Sequence, residues 1–154
     1  MPPDVEQTTE IPAPAGLVWE RAVSPEGINH ELAPLLRMTM PRGLRDATID
    51  DVAVGEPLGR AWILLFGFLP VDYDDLALAE LEPGRRFLER SSLLSLRFWQ
   101  HERVVEPLGE DTCMLTDRLT FEPRIPGTRG VARRVIGFLF HRRQRRMADW
   151  AAER

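Results

Sequence analysis

The stretch RFLERSSLLSLRFWQHERVVEPLGEDTCMLTDRLTFE, residues 86–122, decides the fold. It contains three runs in which apolar and polar residues alternate, 86–94, 96–105 and 112–122, and only short turns separate them. Alternation with a period of two is typical of strands with one buried face, and tight turns between such strands make antiparallel hairpins. We therefore predict three consecutive antiparallel strands.

The turn of the first hairpin also predicts its register. With Ser95 at the centre, three pairs share one face: Phe87 with Arg103, Glu89 with His101, and Ser91 with Trp99. The next turn places Asp117 opposite either His101 or Arg103, and the residues alone leave both registers open. In either register, four ionisable side chains share one patch of the sheet: Glu89, His101, Arg103 and Asp117.

Upstream of these strands, residues 5–11 predict a further strand, followed by two short helices. The first helix covers residues 15–23, which place apolar and charged side chains on opposite sides. The second runs from Pro25 to about Leu32, with Ser24 as its N-cap and a proline at its first position.

The segment between the helices and the hairpins is less regular. Residues 35–40 and 73–81 predict strands, whereas 41–59 are typical of a loop. Residues 59–69 are apolar at nearly every position, so a buried strand and a short helix both fit them.

The chain ends in a long amphipathic helix, predicted over residues 128–150 with Thr128 as its N-cap. Its apolar residues recur at spacings of three and four: Val131, Val135, Ile136, Phe138, Leu139, Met147 and Trp150. We predict an α+β fold in which a curved antiparallel sheet of six to seven strands wraps around this helix, in one domain spanning residues 1–154.

This order of elements resembles the helix-grip superfamily, SRPBCC, which includes START, Bet v1 and polyketide cyclase-like proteins. Four stretches carry the resemblance: VEQTTEIPAPAGLVWERAVSPEGI, FLERSSLLSLRFWQHERVVEP, TDRLTFEPR and FLFHRRQRRMADW. The resemblance implies a cavity between the sheet and the C-terminal helix that holds a small hydrophobic or aromatic molecule. Some members are cyclases or aromatases, and others carry lipids or hormones.

Ten residues are candidates for contact with such a ligand. They combine aromatic side chains with the ionisable patch: Trp62, Phe66, Tyr73, Phe87, Glu89, Trp99, His101, Arg103, Asp117 and Phe121. The patch has two interpretations, a polar network that fixes strand register, which we favour, or a cavity wall that contacts the ligand. Because Phe98 and Val104 lie on the opposite side of strand 96–105, the residues alone do not decide which side of this strand is its inner face.

Composition excludes several kinds of chemistry. All 20 basic residues are arginine, so lysine-dependent phosphate loops and Schiff bases are excluded. One cysteine, Cys113, excludes an internal disulfide and a multi-cysteine metal site. We expect no cofactor and no metal, and ligands that are neutral or weakly acidic apolar molecules rather than nucleotides.

Charge is unevenly distributed along the chain. Residues 128–154 carry eight arginines and two acids, about +6, against about −10 for residues 1–127. The basic run 141–146 is expected to be a solvated helix face that docks on the acidic body rather than a nucleic-acid site. Since no signal peptide is visible and the apolar run 61–71 is too short to span a membrane, we expect a cytoplasmic monomer or homodimer.

Three functions remain, in order of preference. The first is binding or carrying a small hydrophobic ligand, such as a lipid or polyketide. The second is a cyclase or dehydratase-like enzyme with His101 and either Glu89 or Asp117 as the acid/base pair. The third is a regulatory interaction module that uses the arginine-rich C-terminal helix.

Overall fold

The computed structural model describes residues 2–44, 49 and 52–154. Within them, seven strands form one antiparallel sheet in the order β1-β7-β6-β5-β4-β3-β2. The strands are β1 Val5–Ile11, β2 Leu36–Met38, β3 Pro57–Leu65, β4 Leu69–Glu82, β5 Arg86–Leu93, β6 Leu96–Pro107 and β7 Cys113–Pro123. The helices are α1 Ala15–Ala22, α2 Pro25–Leu32 and α3 Arg129–Ala152. The predicted helix-grip architecture, with two short helices after the first strand, is confirmed.

The register of the β5–β6 hairpin is the one its turn predicts. Phe87 pairs with Arg103, Glu89 with His101, and Ser91 with Trp99. Of the two registers left open for the next hairpin, the structure has Asp117 opposite Arg103. Since Trp99, His101 and Arg103 are all buried, this side of β6 is its inner face.

The apolar run that fitted a strand or a helix forms a hairpin. β3 occupies its first part, residues 66–68 turn, and β4 begins at Leu69. Phe66 lies in this turn with a φ of 54°, in the left-handed region. Turn residues project from the sheet, so the apolar run 59–69 is only partly interior.

The two short helices meet at a tight junction. Ser24 caps α2 as predicted, because its Oγ accepts a hydrogen bond from the Gly27 amide at 2.9 Å. A Cβ at Gly27 would lie 1.8 Å from the carbonyl oxygen of Arg21, so only glycine allows α2 to pack this closely against the end of α1. The junction thereby fixes the position of α2 over the sheet.

The predicted C-terminal helix forms with Thr128 at its N-cap position, and two of its details are as follows. Thr128 stands at the N-cap position, but its hydroxyl donates to the Ile125 carbonyl and caps no helical amide. The residues facing the sheet are Ile136, Phe140, Gln144, Met147 and Ala151, whereas Val131, Val135 and Phe138 are exposed. Of the residues whose spacing predicted the helix, Ile136 and Met147 belong to this buried stripe, which the polar Gln144 interrupts. None of the described helices is both long and apolar enough to cross a membrane.

A polar layer divides the core. It consists of the buried polar residues Glu31, Asp74, Glu89, His101, Arg103, Asp117 and Gln144. On β6, β7 and α3 alike, this layer separates two apolar clusters. One cluster contains Val105, Leu115 and Met147, and the other contains Trp99, Leu119, Phe121 and Phe140.

Truncating α3 on its buried side tests this packing. Met147 is 1% exposed, so Met147→Ala should lower the free energy of unfolding by about 2–5 kcal/mol, measured by urea denaturation. Phe138→Ala removes a larger side chain from the same helix, but Phe138 is 59% exposed, and we expect a change of about 0.5 kcal/mol or less. Equal effects at the two positions would contradict the orientation of α3.

Candidate functional site

Arg103 occupies the centre of the polar layer and is fully buried. Its Nε and Nη2 donate to the two carboxylate oxygens of Asp117 at 2.8 and 3.0 Å. Its Nη1 and Nη2 also donate to the carboxylate of Glu31 at 3.0 and 2.8 Å. One guanidinium on β6 therefore joins the adjacent strand β7 to helix α2 through two bidentate pairs.

Helix α3 completes this network with two neighbouring residues. Arg143 Nε donates to Glu31 at 3.1 Å, and Gln144 Nε2 donates to Asp117 at 2.9 Å. Two guanidinium groups thus face two carboxylates, and the charges balance. Burial alone would raise the pKa of Asp117, but the charge of Arg103 and the hydrogen bond from His101 hold this pKa well below its usual range.

His101 connects the network to the interior space beside it. Its Nε2 lies 2.6 Å from Asp117 Oδ1. Because Asp117 is ionised and can only accept, Nε2 carries the proton, and in the neutral ring Nδ1 is left with a lone pair. The ring stands edge-on to Phe87 and Phe140, with centroids 5.3 and 4.9 Å away, so its orientation is fixed.

A cavity of about 420 Å³ adjoins His101. Its apolar wall comes from α1, α2, β2, the segment after β2 and the inner faces of β3, β4 and β5: Trp19, Ala22, Val23, Ile28, Met38, Met40, Leu44, Ile49, Leu58, Leu76, Leu78 and Phe87. Ionisable side chains contribute Glu89, His101 and Arg143 on the inside and exposed Glu20 at the rim. The cavity lies under α1 and α2, and Arg143 is the only residue of α3 in this lining, because Phe140 and Gln144 fill the space between α3 and the sheet.

The ten candidate residues separate into four groups. Phe87, Glu89 and His101 line the cavity. Arg103 and Asp117 lie behind His101 in the buried network, and Trp99 and Phe121 pack in the apolar cluster beside Phe140. The prediction of an interior position is wrong for the others: Trp62 and Phe66 are 41% and 61% exposed, and Tyr73 packs against Trp62 and under the guanidinium of Arg60.

Sequence reasoning missed two buried acids of the polar layer. Glu31 lies on the buried side of α2, one turn after Gly27. Asp74 shares the inner face of β4 with Leu76 and Leu78, and the alternation of this strand is the signal that could have found it.

The basic run of α3 is partly buried rather than a solvated face. Arg142 donates to the carbonyl of Ala33 at 3.0 Å, and Arg146 donates to that of His30 at 2.6 Å. Both carbonyls lie at the C-terminal end of α2, which carries a partial negative charge that attracts cations. The run therefore packs against the C-terminal end of α2, while His141 and Arg145 remain exposed.

The network predicts a large effect of removing one buried charge. Asp117→Asn keeps the shape of the side chain but leaves Arg103 undercompensated, and we expect a loss of about 3–5 kcal/mol in the free energy of unfolding. Asp75→Asn is the matched control, because Asp75 pairs with Arg60 at 2.8 Å on the surface and should cost about 1 kcal/mol or less. Similar losses for both variants would show that the network is solvated.

The same network predicts how stability depends on pH. The folded pKa of Asp117 is depressed, so its contribution is complete above the ordinary aspartate range of about 4 and is lost as pH falls through that range and below. The difference in unfolding free energy between wild type and Asp117→Asn should therefore be largest above about pH 5 and shrink on acidification. A difference that stays constant down to about pH 3 would contradict the depressed pKa.

Solved structures with the same fold extend over nearly the whole chain. A START superfamily protein from Mycobacterium smegmatis has 13% identity and a TM-score of 0.67, with 97% of each chain covered. The Zhui aromatase/cyclase from Streptomyces sp. R1128 has 19% identity and a TM-score of 0.60, covering 97% of this chain and 93% of that one. A norcoclaurine synthase point mutant from Thalictrum flavum, with a transition-state analogue bound, has 14% identity, a TM-score of 0.65 and the same coverages.

These identities are low, so the similarities show the fold, which is START-like. No curated protein matches the sequence significantly. One family model, described as "Domain of unknown function (DUF8410)", matches residues 9–151. Because this match spans almost the entire sequence, the chain belongs to the DUF8410 family.

Proposed function

We propose that this protein binds a small hydrophobic molecule in the cavity under α1 and α2. The observation that carries the proposal is the cavity itself, about 420 Å³ of space between α1, α2 and the sheet. Ligand pockets typically measure about 300–1,000 Å³ and combine an apolar wall with a few polar groups. This cavity has both features.

The polar groups gather where the cavity meets the polar layer. His101 and Glu89 contribute acceptor atoms, and Arg143 contributes guanidinium donors. A ligand with an apolar body and one polar group would place the polar group here. The similarity to a START protein and to an aromatase/cyclase supports the same class of ligand.

Filling the cavity should abolish binding. Wild type should bind the apolar dye Nile red at micromolar concentration, and fatty acids or aromatic polyketides, but not ATP, should displace it. Ile28→Trp places an indole in the space beside Leu78 and should reduce dye affinity about tenfold or more, since the ligand loses that apolar contact. The measurement is a fluorescence titration.

The control for that variant adds the same side chain elsewhere. Val131 is 65% exposed on α3 and outside the cavity, so Val131→Trp should leave dye affinity unchanged. No dye binding by wild type, or equal binding by wild type and Ile28→Trp, would refute the cavity as the site.

A second candidate function is proton abstraction, and the His101–Asp117 contact favours it. A carboxylate that holds the Nε2 proton of an imidazole orients the ring and stabilises the imidazolium that forms when Nδ1 takes a proton. In a bound ketone, Nδ1 would take an α-proton while a donor such as Arg143 stabilises the enolate oxygen. Cyclisation and dehydration of polyketides require such a step.

Deuterium exchange separates this enzyme from a carrier. The methyl protons of bound acetonaphthone in D2O should exchange faster than in buffer alone, as followed by proton NMR. His101→Phe keeps an aromatic ring against Phe87 and Phe140, so it should retain dye binding and lose the exchange. If the exchange is no faster than in buffer, proton abstraction is refuted and only the carrier function remains.

A further inference from the structure

We propose that the cavity selects ligands that carry a protonated amine, with Glu89 as the partner of the ammonium group and the buried Asp74 as the neighbour that supports Glu89 in this role. This inference rests on the proposed ligand-binding function and names its ligand class. It differs from the neutral or weakly acidic ligands that the sequence led us to expect.

Asp74 is the first observation. It is 4% exposed on the inner face of β4, and its Oδ1 is buried without a hydrogen-bond partner among the described residues. Burial and the neighbouring charge of Glu89 raise the pKa of Asp74 well above its usual range. The protonated form of Asp74 is thereby favoured, and a proton on this carboxyl would be a hydrogen-bond donor to Glu89.

Glu89 is the second observation. It is 7% exposed on β5, and its Oε2 accepts a hydrogen bond from the Ser91 hydroxyl at 2.9 Å. No arginine or histidine in the described part of the chain forms an ion pair with it, although Glu31 and Asp117 both have one. Glu89 therefore lies at the cavity wall with a hydrogen bond from Ser91 and without a cationic partner among the described residues.

The charges of the buried groups indicate that Glu89 lacks a cationic partner. Arg103 and Arg143 are neutralised by Glu31 and Asp117. Among the buried acids of the described chain, Glu89 and its neighbour Asp74 are left without a cationic partner, and Glu89 is the one that lines the cavity. A buried carboxylate is costly unless a cation pairs with it.

The shape of the cavity favours a cation that enters with a ligand. Glu89 lines the cavity next to apolar side chains such as Leu78 and Phe87. An alkyl or aryl amine would fill the apolar space and place its ammonium group on Glu89 in a charge-assisted hydrogen bond. Arg143 does not favour an anionic ligand to the same degree, because its Nε already pairs with Glu31 and its guanidinium covers Phe140 at 4.8 Å.

Three probes of nearly equal size test the head group. Naphthylethylamine, naphthylethanol and naphthylacetic acid would each displace Nile red at about pH 8, where a free imidazole is neutral and an alkylamine is protonated. We expect the amine to bind about tenfold more tightly than the alcohol, and the acid to bind less tightly than the alcohol.

Variants then test which residues cause the preference for the amine over the alcohol. Glu89→Gln removes the charge and should bring the affinity of the amine to that of the alcohol, with both measured in the same variant. Asp74→Asn still offers an amide donor to Glu89 and should keep the preference, whereas Asp74→Leu should weaken it. Glu122→Gln makes the same charge change at an exposed position and should have no effect. Urea denaturation of each variant confirms that it is folded.

The outcomes separate this inference from the proposed function. If all three probes displace the dye and the amine has no advantage, or if folded Glu89→Gln keeps the advantage, the amine selectivity is refuted while ligand binding stands. If Asp74→Leu keeps the full preference, the role of Asp74 is refuted. If neither dye nor probe binds wild type, the proposed function itself fails.

Discussion

The double ion pair of Arg103 is the interaction on which the rest of the structure depends. It brings a residue of α2 to a residue of β7 through a guanidinium that is fully buried, and it links elements far apart in sequence, since Glu31 and Arg103 are 72 positions apart. Removing either carboxylate would leave a buried cation undercompensated. The two ion pairs therefore hold the two sides of the core together in addition to the apolar contacts.

This interaction also explains where the cavity lies. The ion pair between Glu31 and Arg103 holds α2 against the sheet. Arg142 and Arg146 of α3 donate hydrogen bonds to the carbonyls at the C-terminal end of α2. The middle of α3, in contrast, packs directly on the sheet through Phe140 and Gln144. The unfilled space is therefore bounded by α1, α2 and the sheet, at a distance from most of α3. The polar layer closes one side of that space, which is why its charged groups and its apolar wall meet at Glu89 and His101.

Local signals in the sequence predicted much of the fold and part of the site. Alternation and a tight turn were sufficient to pair Glu89 with His101, because a hairpin register depends only on neighbouring residues. The longer turn before β7 allowed two registers, and only the structure places Asp117 opposite Arg103. Glu31 could not be predicted as the partner of Arg103, since no local pattern encodes a contact between α2 and β6. Aromatic character alone misplaced Trp62 and Phe66, because Trp62 occupies an exposed position of β3 and Phe66 lies in the hairpin turn.

Methyl NMR on methionine tests the central claim, that the space under α1 and α2 is the ligand site. Met38 and Met40 line the cavity. Met147 is packed in the core on the buried side of α3, and Met114 lies on the face of β7 that points away from the core. With 13C-labelled methionine methyl groups, titration with Nile red should shift the signals of Met38 and Met40 in a saturable manner and leave those of Met114 and Met147 in place. Saturable shifts at Met114 or Met147, with Met38 and Met40 unmoved, would contradict this account of the cavity.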